Sequence, residues 1–144
     1  MRSRVFFDAS IIIEALLSKT GGSSLLIQYI KMGKIIGITS QTVIGEVLEE
    51  DKPKKFKRSR EEIERFITQS GLLIREAIAM EEIAPYKDLV DIEDAHLIAG
   101  SNLTKCNYLV TLDKKHLLRE DIKMRFLPLK IVSPKQLLEE IIIW

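Results

Sequence analysis

The sequence predicts an α/β protein, a three-layer α/β/α sandwich around a central, mainly parallel sheet, and three observations predict it. Short apolar bursts alternate with helical patterns along the whole chain. No two strands are separated by a hairpin turn, so successive strands must be joined by crossovers that cover both faces of the sheet. Two of the strands run out into an aspartate, at the edge where open parallel sheets hold their ligands.

The first burst, Arg4–Phe7, ends at Asp8, and Ala9–Leu17 follows as a helix closed by Thr20-Gly21-Gly22. Ser23 or Ser24 caps a second helix, with Leu25, Leu26, Tyr29 and Ile30 on one face and Gly33 at its end. Ile35–Ile38 is the second strand. Thr39 or Ser40 then caps a helix carrying Val43, Ile44, Val47 and Leu48, which puts Glu46 in its first two turns, and Asp51-Lys52-Pro53 breaks it.

Glu61–Thr68 spaces Ile63, Phe66 and Ile67 as a buried helical stripe, and Gly71 separates it from a third strand at Leu72–Ile74. Ala77–Ile83 reads as a short helix before Pro85. Asp91–Leu103 reads as a helix whose acidic start suits the positive end of the macrodipole. Tyr108–Leu112 is a buried strand ending at Asp113, and Leu129–Val132 is the last strand. Ser133-Pro134-Lys135-Gln136 then starts a helix with a capping Ser, Pro at the first helical position and Gln placed to reach back.

At 144 residues with net charge +1, the chain is expected to form a single domain over residues 1–144 with one core. Near-zero charge argues against coating nucleic acid by bulk electrostatics and leaves room for a local basic patch. No apolar run approaches the roughly 20 residues of a membrane-spanning helix, and the N-terminus carries no secretory pattern. A soluble, cytoplasmic protein is therefore expected. Cys106, the one cysteine, reads as a small buried apolar residue. Abundant Lys, Glu and Ile with scarce Asn and Gln is a bias common in proteins of hot habitats.

Asp8 and Asp113 each close an apolar strand, while Glu46 and Asp94 hang from helix starts that open at the same sheet edge. Taken singly, Asp91 or Asp94 reads more readily as a solvated residue or helix cap. Four converging carboxylates repel one another wherever water is partly excluded. A hard cation resolves the repulsion. All-oxygen ligation suits Mg²⁺ or Mn²⁺, which can orient a phosphodiester, activate water and neutralise a leaving oxygen.

The chain resembles the PIN-domain nucleases, in particular the single-domain, VapC-like toxin components of toxin–antitoxin pairs. The resemblance runs nearly end to end, through Phe7-Asp8-Ala9-Ser10, Ala15-Leu16-Leu17-Ser18 with Gly21-Gly22-Ser23, and Val43-Ile44-Gly45-Glu46-Val47-Leu48. It continues through Asp91-Ile92-Glu93-Asp94-Ala95-His96-Leu97-Ile98-Ala99-Gly100 and Leu109-Val110-Thr111-Leu112-Asp113-Lys114-Lys115-His116-Leu117-Leu118. It implies Mg²⁺- or Mn²⁺-dependent cleavage of RNA, with Asp8, Glu46, Asp94 and Asp113 as catalytic acids and metal ligands. Ser10 and Thr111 match hydroxyls that support those acids. Asp91 fits the family's acidic pair with Asp94; Asp94 is taken as the ligand and Asp91 as a supporting residue or cap. The resemblance also implies an antitoxin partner and a homodimer. Where the family often carries a further acid or Asn after the last strand, Lys114, Lys115 and His116 stand here, and Leu112 replaces a small or polar residue. That departure motivates the alternative of a catalytically weak or inactive PIN-like domain that binds RNA or a protein.

Lys52, Lys54, Lys55, Lys57, Arg58 and Arg60 crowd what reads as a linker between helices, where they can steer RNA or simply be solvated. Lys114 and Lys115 are phosphate contacts by position beside Asp113. His96 and His116 read as ordinary structural histidines and Glu14 as an exposed acid. The apolar end Ile141–Trp144 reads as packing on its own domain. A phospho-acceptor site built on Asp8 is disfavoured, because the second acid of such sites is Ser10 here.

Overall fold

In the computed structural model, which describes residues 2–49 and 52–142, five parallel strands form one sheet in the order β3-β2-β1-β4-β5. Strand β1 (Ser3–Phe7) is central, with β2 (Ile35–Ser40) and β3 (Leu73–Arg75) on one side and β4 (Tyr108–Val110) and β5 (Lys130–Val132) on the other. Phe6 stands in register with Ile38 and Leu109, and Phe7 with Val110. Strands buried on both faces need continuous apolar runs. Val5, Phe6, Phe7, Leu109 and Val110 are accordingly inaccessible to solvent, and each of the phenylalanines gains about 1.5–3 kcal/mol from that burial.

The layers follow from the apolar faces of the helices. Helix α1 (Ala9–Leu17) buries Ile11, Ile12 and Ala15, and packs against α2 (Gly22–Lys31), α3 (Gln41–Val47) and α5 (Arg60–Ser70). The Ser40 hydroxyl accepts from Val43 N and so starts α3 directly at the end of β2. A reciprocal Ser59–Glu62 capping box opens α5, and Gly71, at φ 85°, closes it in the left-handed conformation that favours glycine. Helix α7 (Ala95–Leu103) lies on β1 and β4, buried from Ala95 to Ser101. Gly100 brings it onto the sheet, since a Cβ there would stand 2.7 Å from Phe6 Cζ. Helix α9 (Pro134–Ile142) packs on α2, and its Ser133 and Gln136 exchange the two capping hydrogen bonds.

Five readings of the sequence change. Helix α2 begins at Gly22 with Gly21 as its N-cap, so neither Ser23 nor Ser24 caps it. The helix placed at Asp91–Leu103 begins only at Ala95: Asp91 Oδ1 accepts from Glu93 N at 2.9 Å, and this local hydrogen bond makes Asp91–Asp94 a turn. Strand β4 stops at Val110, two residues short of Leu112. The basic linker contains a short helix, α4 (Lys52–Phe56), with Pro53 in the first turn, where its missing N–H costs little. The helix placed at Ala77–Ile83 shortens to α6 (Met80–Ile83), continued by a 3-10 turn over Ala84–Tyr86. Helix α8 (Glu120–Arg125) had no counterpart in the sequence reading. No single helix among the described residues is long and apolar enough to cross a membrane.

Candidate functional site

The strand order reverses direction between β1 and β4, the topological position at which parallel sheets open a crevice. Asp8 follows β1 there, and its backbone N–H donates to Val110 O. Thr111, fully buried, joins the two strand ends through one hydroxyl. Its Oγ1 donates to Asp8 Oδ2 at 2.6 Å and accepts from Asp113 N at 3.1 Å. Ser10 repeats the device, with Oγ donating to the same Asp8 oxygen at 3.1 Å and accepting from Leu112 N at 3.2 Å. Behind them, buried Thr39 on β2 donates to Phe7 O. Thr111 N still donates to Val132 O of β5 at 3.0 Å, and the chain departs from the sheet after it, where Leu112 N donates to Ser10.

Asp113 is held from its own turn: Oδ1 accepts from Lys115 N and His116 N, and Oδ2 lies 3.3 Å from His116 Nδ1. Asp94, at the start of α7, completes a group in which one oxygen each of Asp94 and Asp113 and one imidazole nitrogen of His116 lie within 4.8 Å of one another. Burial pushes the Asp94 carboxyl up to about 6, and the negative charges of Asp113, Asp8 and Asp91 add to the rise, partly offset by His116. Burial also raises Asp8, against the hydrogen bonds from Thr111 and Ser10, with Glu46 contributing further repulsion. Glu46, on α3, has its Oε1 3.3 Å from His96 Nε2 on α7, yet that oxygen is buried without a hydrogen-bond partner among the described residues, as is His96 Nδ1.

Asp94 and Asp113, from the start of α7 and the turn after β4, thus come together with His116, while Asp8, after β1, acts by charge on Asp94 and Glu46, on α3, acts by charge on Asp8; Asp8 and Glu46 are not in the close group. Asp91 is exposed in the turn before α7; its carbonyl accepts from Asp94 N at 2.9 Å and its negative charge helps raise Asp94. Lys114 and Lys115 are exposed beside Asp113. Lys54, Lys55 and Lys57 are exposed on and after α4, whereas the Arg58 guanidinium donates to the carbonyls of Phe56 and Lys57, and Arg60 pairs with Glu64. The side chain of Lys52 lies outside the described residues. Glu14 is exposed, and Ile141 packs against the core; Ile143 and Trp144 lie outside the described residues. Cys106 is half-buried and its thiol is pushed up by burial.

Two histidines read as ordinary in the sequence stand against the acids. The i, i+3 spacing of Asp113 and His116 was a usable signal for one. Nothing local in the sequence links Glu46 to His96, which are 50 positions apart. The opposed carboxylates of Asp94 and Asp113 with the His116 nitrogen form a donor set that could hold a divalent cation.

Fold and site together define a class: doubly wound α/β domains with an acidic pocket at the switch point of the sheet. The sequence profile of the PIN domain matches residues 4–115, and the chain belongs to that family. No curated protein sequence matches it. Among solved structures it is similar to PAE2754 from Pyrobaculum aerophilum, with a TM-score of 0.64 at 13% identity, covering 100% of this chain and 98% of the other. It is also similar to VapBC2 from Rickettsia felis bound to a DNA fragment from their promoter, with a TM-score of 0.57 at 14% identity, covering 90% and 98%.

Proposed function

We propose that the chain is a divalent-metal-dependent endoribonuclease that hydrolyses RNA phosphodiester bonds, a single-domain cytoplasmic toxin held in check by an antitoxin. The observation that carries the reading is the mutual repulsion of the acids: burial, Asp113 and Asp8 together raise Asp94 to about 6, a cost that a cation relieves. Asp8, Asp94, Asp113 and Glu46 would hold Mg²⁺ or Mn²⁺, which supplies Lewis-acid polarisation of the phosphodiester and a lowered pKa for attacking water.

The residues of this chain do the positioning. Ser10 and Thr111 both donate to Asp8 Oδ2, which fixes the carboxylate plane and leaves Oδ1 without a side-chain partner among the described residues. Two backbone N–H groups hold Asp113 in the same way. His96 stands behind Glu46 and limits its swing. Lys114 and Lys115, exposed beside Asp113, offset the repulsion between the acidic pocket and an approaching RNA backbone, with Lys54, Lys55, Lys57 and Arg58 as a more distant contribution. The likeness to VapBC2 supports an antitoxin partner, and a second copy of the chain completes the proposed assembly.

The test is RNA cleavage by purified protein with Mg²⁺ or Mn²⁺ and with EDTA. Cleavage that needs the metal and falls by at least 100-fold in Asp8→Asn is the expected result. Equal cleavage by Asp8→Asn refutes the site. RNA binding without metal-dependent cleavage selects the non-catalytic alternative.

A further inference from the structure

The group formed by Asp94, Asp113 and His116 departs from an all-carboxylate site by one atom, the imidazole nitrogen. That nitrogen and one oxygen of each aspartate lie within 4.8 Å of one another. Two donors each about 2.1 Å from one ion stand roughly 3–4 Å apart, so small side-chain shifts let the three share a cation.

The turn that carries His116 is built to hold it there. Asp113 Oδ1 accepts from Lys115 N and His116 N, and Asp113 O accepts from Leu117 N and Leu118 N. Leu117, next along the chain, is fully buried and anchors the turn in the core. These contacts leave Asp113 Oδ2 beside the imidazole, whose Nδ1 lies 3.3 Å away. That separation exceeds the roughly 2.7–3.2 Å of a firm N–H···O bond, so the pair is close without being fully engaged. The side chains of His116 and Asp113 are 41% and 26% exposed, which admits water as further ligands. His96, the other of the chain's two histidines, is buried, and its Nε2 faces Glu46 instead of this group.

Ligand chemistry then separates the cations. Mg²⁺ takes oxygen donors and gains little from imidazole, whereas the first-row transition ions bind nitrogen better, increasingly so beyond Mn²⁺. We infer that His116 is a nitrogen ligand of the metal site and makes it select Mn²⁺ over Mg²⁺. The inference rests on the metal-dependent activity proposed above and assigns to one side chain the choice between its two ions.

The experiment titrates Mn²⁺ and Mg²⁺ separately into tag-free, metal-free protein by calorimetry, and records pulsed EPR of the bound Mn²⁺, in which a directly bound imidazole gives ¹⁴N coupling. Wild type is expected to bind Mn²⁺ at least about tenfold more tightly than Mg²⁺ and to show the coupling. His116→Ala should weaken Mn²⁺ about tenfold, leave Mg²⁺ within about twofold and abolish the coupling, with the metal-free melting temperature unchanged. His116→Asp, which supplies an oxygen donor, should bind Mg²⁺ more tightly than His116→Ala and also lack the coupling. Equal affinity of wild type for the two ions, Mn²⁺ bound without ¹⁴N coupling, or coupling that survives in His116→Ala overturns the inference and leaves the metal site standing. A wild-type protein that binds neither ion overturns both.

Discussion

Replacing Asp94 by Asn should stabilise the metal-free protein near neutral pH and abolish most of its stabilisation by Mg²⁺. Asp94 lies at about 6 in the folded protein against an ordinary value of 3.8. Between those values the folded state holds a proton that the unfolded chain releases. This group's contribution to stability is thus full below about pH 4 and is lost as pH rises through 6. At about 1.4 kcal/mol per pH unit, the ceiling on the loss is about 3 kcal/mol. The carboxyl is only half-buried, and solvent screening leaves about 1–2 kcal/mol of that. For a chain of this size the loss is about 3–6 °C in melting temperature. Thermal melts in EDTA at pH 4.5 and 7.5 should show wild type losing stability relative to Asp94→Asn at the higher pH. Mg²⁺ at pH 7.5 should raise wild type more than the variant, because only a site that binds the native state shifts the equilibrium. An Asp94→Asn protein no more stable than wild type in EDTA at pH 7.5, with the same response to Mg²⁺, refutes the reasoning.

Thr111→Val removes the hydrogen bond that lowers Asp8 and leaves Asp113 N without its acceptor. A loss of about 10–100-fold in metal affinity or cleavage is expected, as for other groups that orient ligands, with Thr111→Ser close to wild type; titration of Mn²⁺ and cleavage rates check it. Gly100→Ala would ordinarily favour a helix by about 1 kcal/mol. Here the new methyl meets the buried Phe6 ring, and overpacking of about 1–3 kcal/mol should give a net loss in denaturant unfolding.

Much of the fold could be read from residue patterns because the decisive signals are local. Asp8 before an apolar helix face placed α1 at Ala9–Leu17, and Ser133, Pro134 and Gln136 placed the start of α9. The misread boundaries are those where tertiary contacts compete with propensity. Leu112 is apolar enough for a strand, yet its N–H donates to Ser10, whereas Thr111 keeps its N–H bond to Val132 and turns only its hydroxyl to Asp8. Asp91–Asp94 carries the acidic character of a helix start, but the Asp91 side chain accepts from Glu93 N and holds a turn instead. Helix α8 was legible in principle from Glu120 and Asp121 at one end and Lys123 and Arg125 at the other. In the candidate site, Asp8 and Asp113 showed themselves by ending apolar runs. His96 behind Glu46 arises from a pairing across the fold that no short stretch of chain encodes.

The hydroxyl of Thr111 spans 103 positions to reach Asp8. An N-terminal fragment can complete β1, β2 and β3 while one side of the central strand still awaits β4. Such a fragment contains Asp8 and Glu46 but neither Asp94 nor Asp113. Ribosomal synthesis must pass residue 113 before the four acids exist on one molecule, so the candidate site is among the last features that the growing chain can assemble.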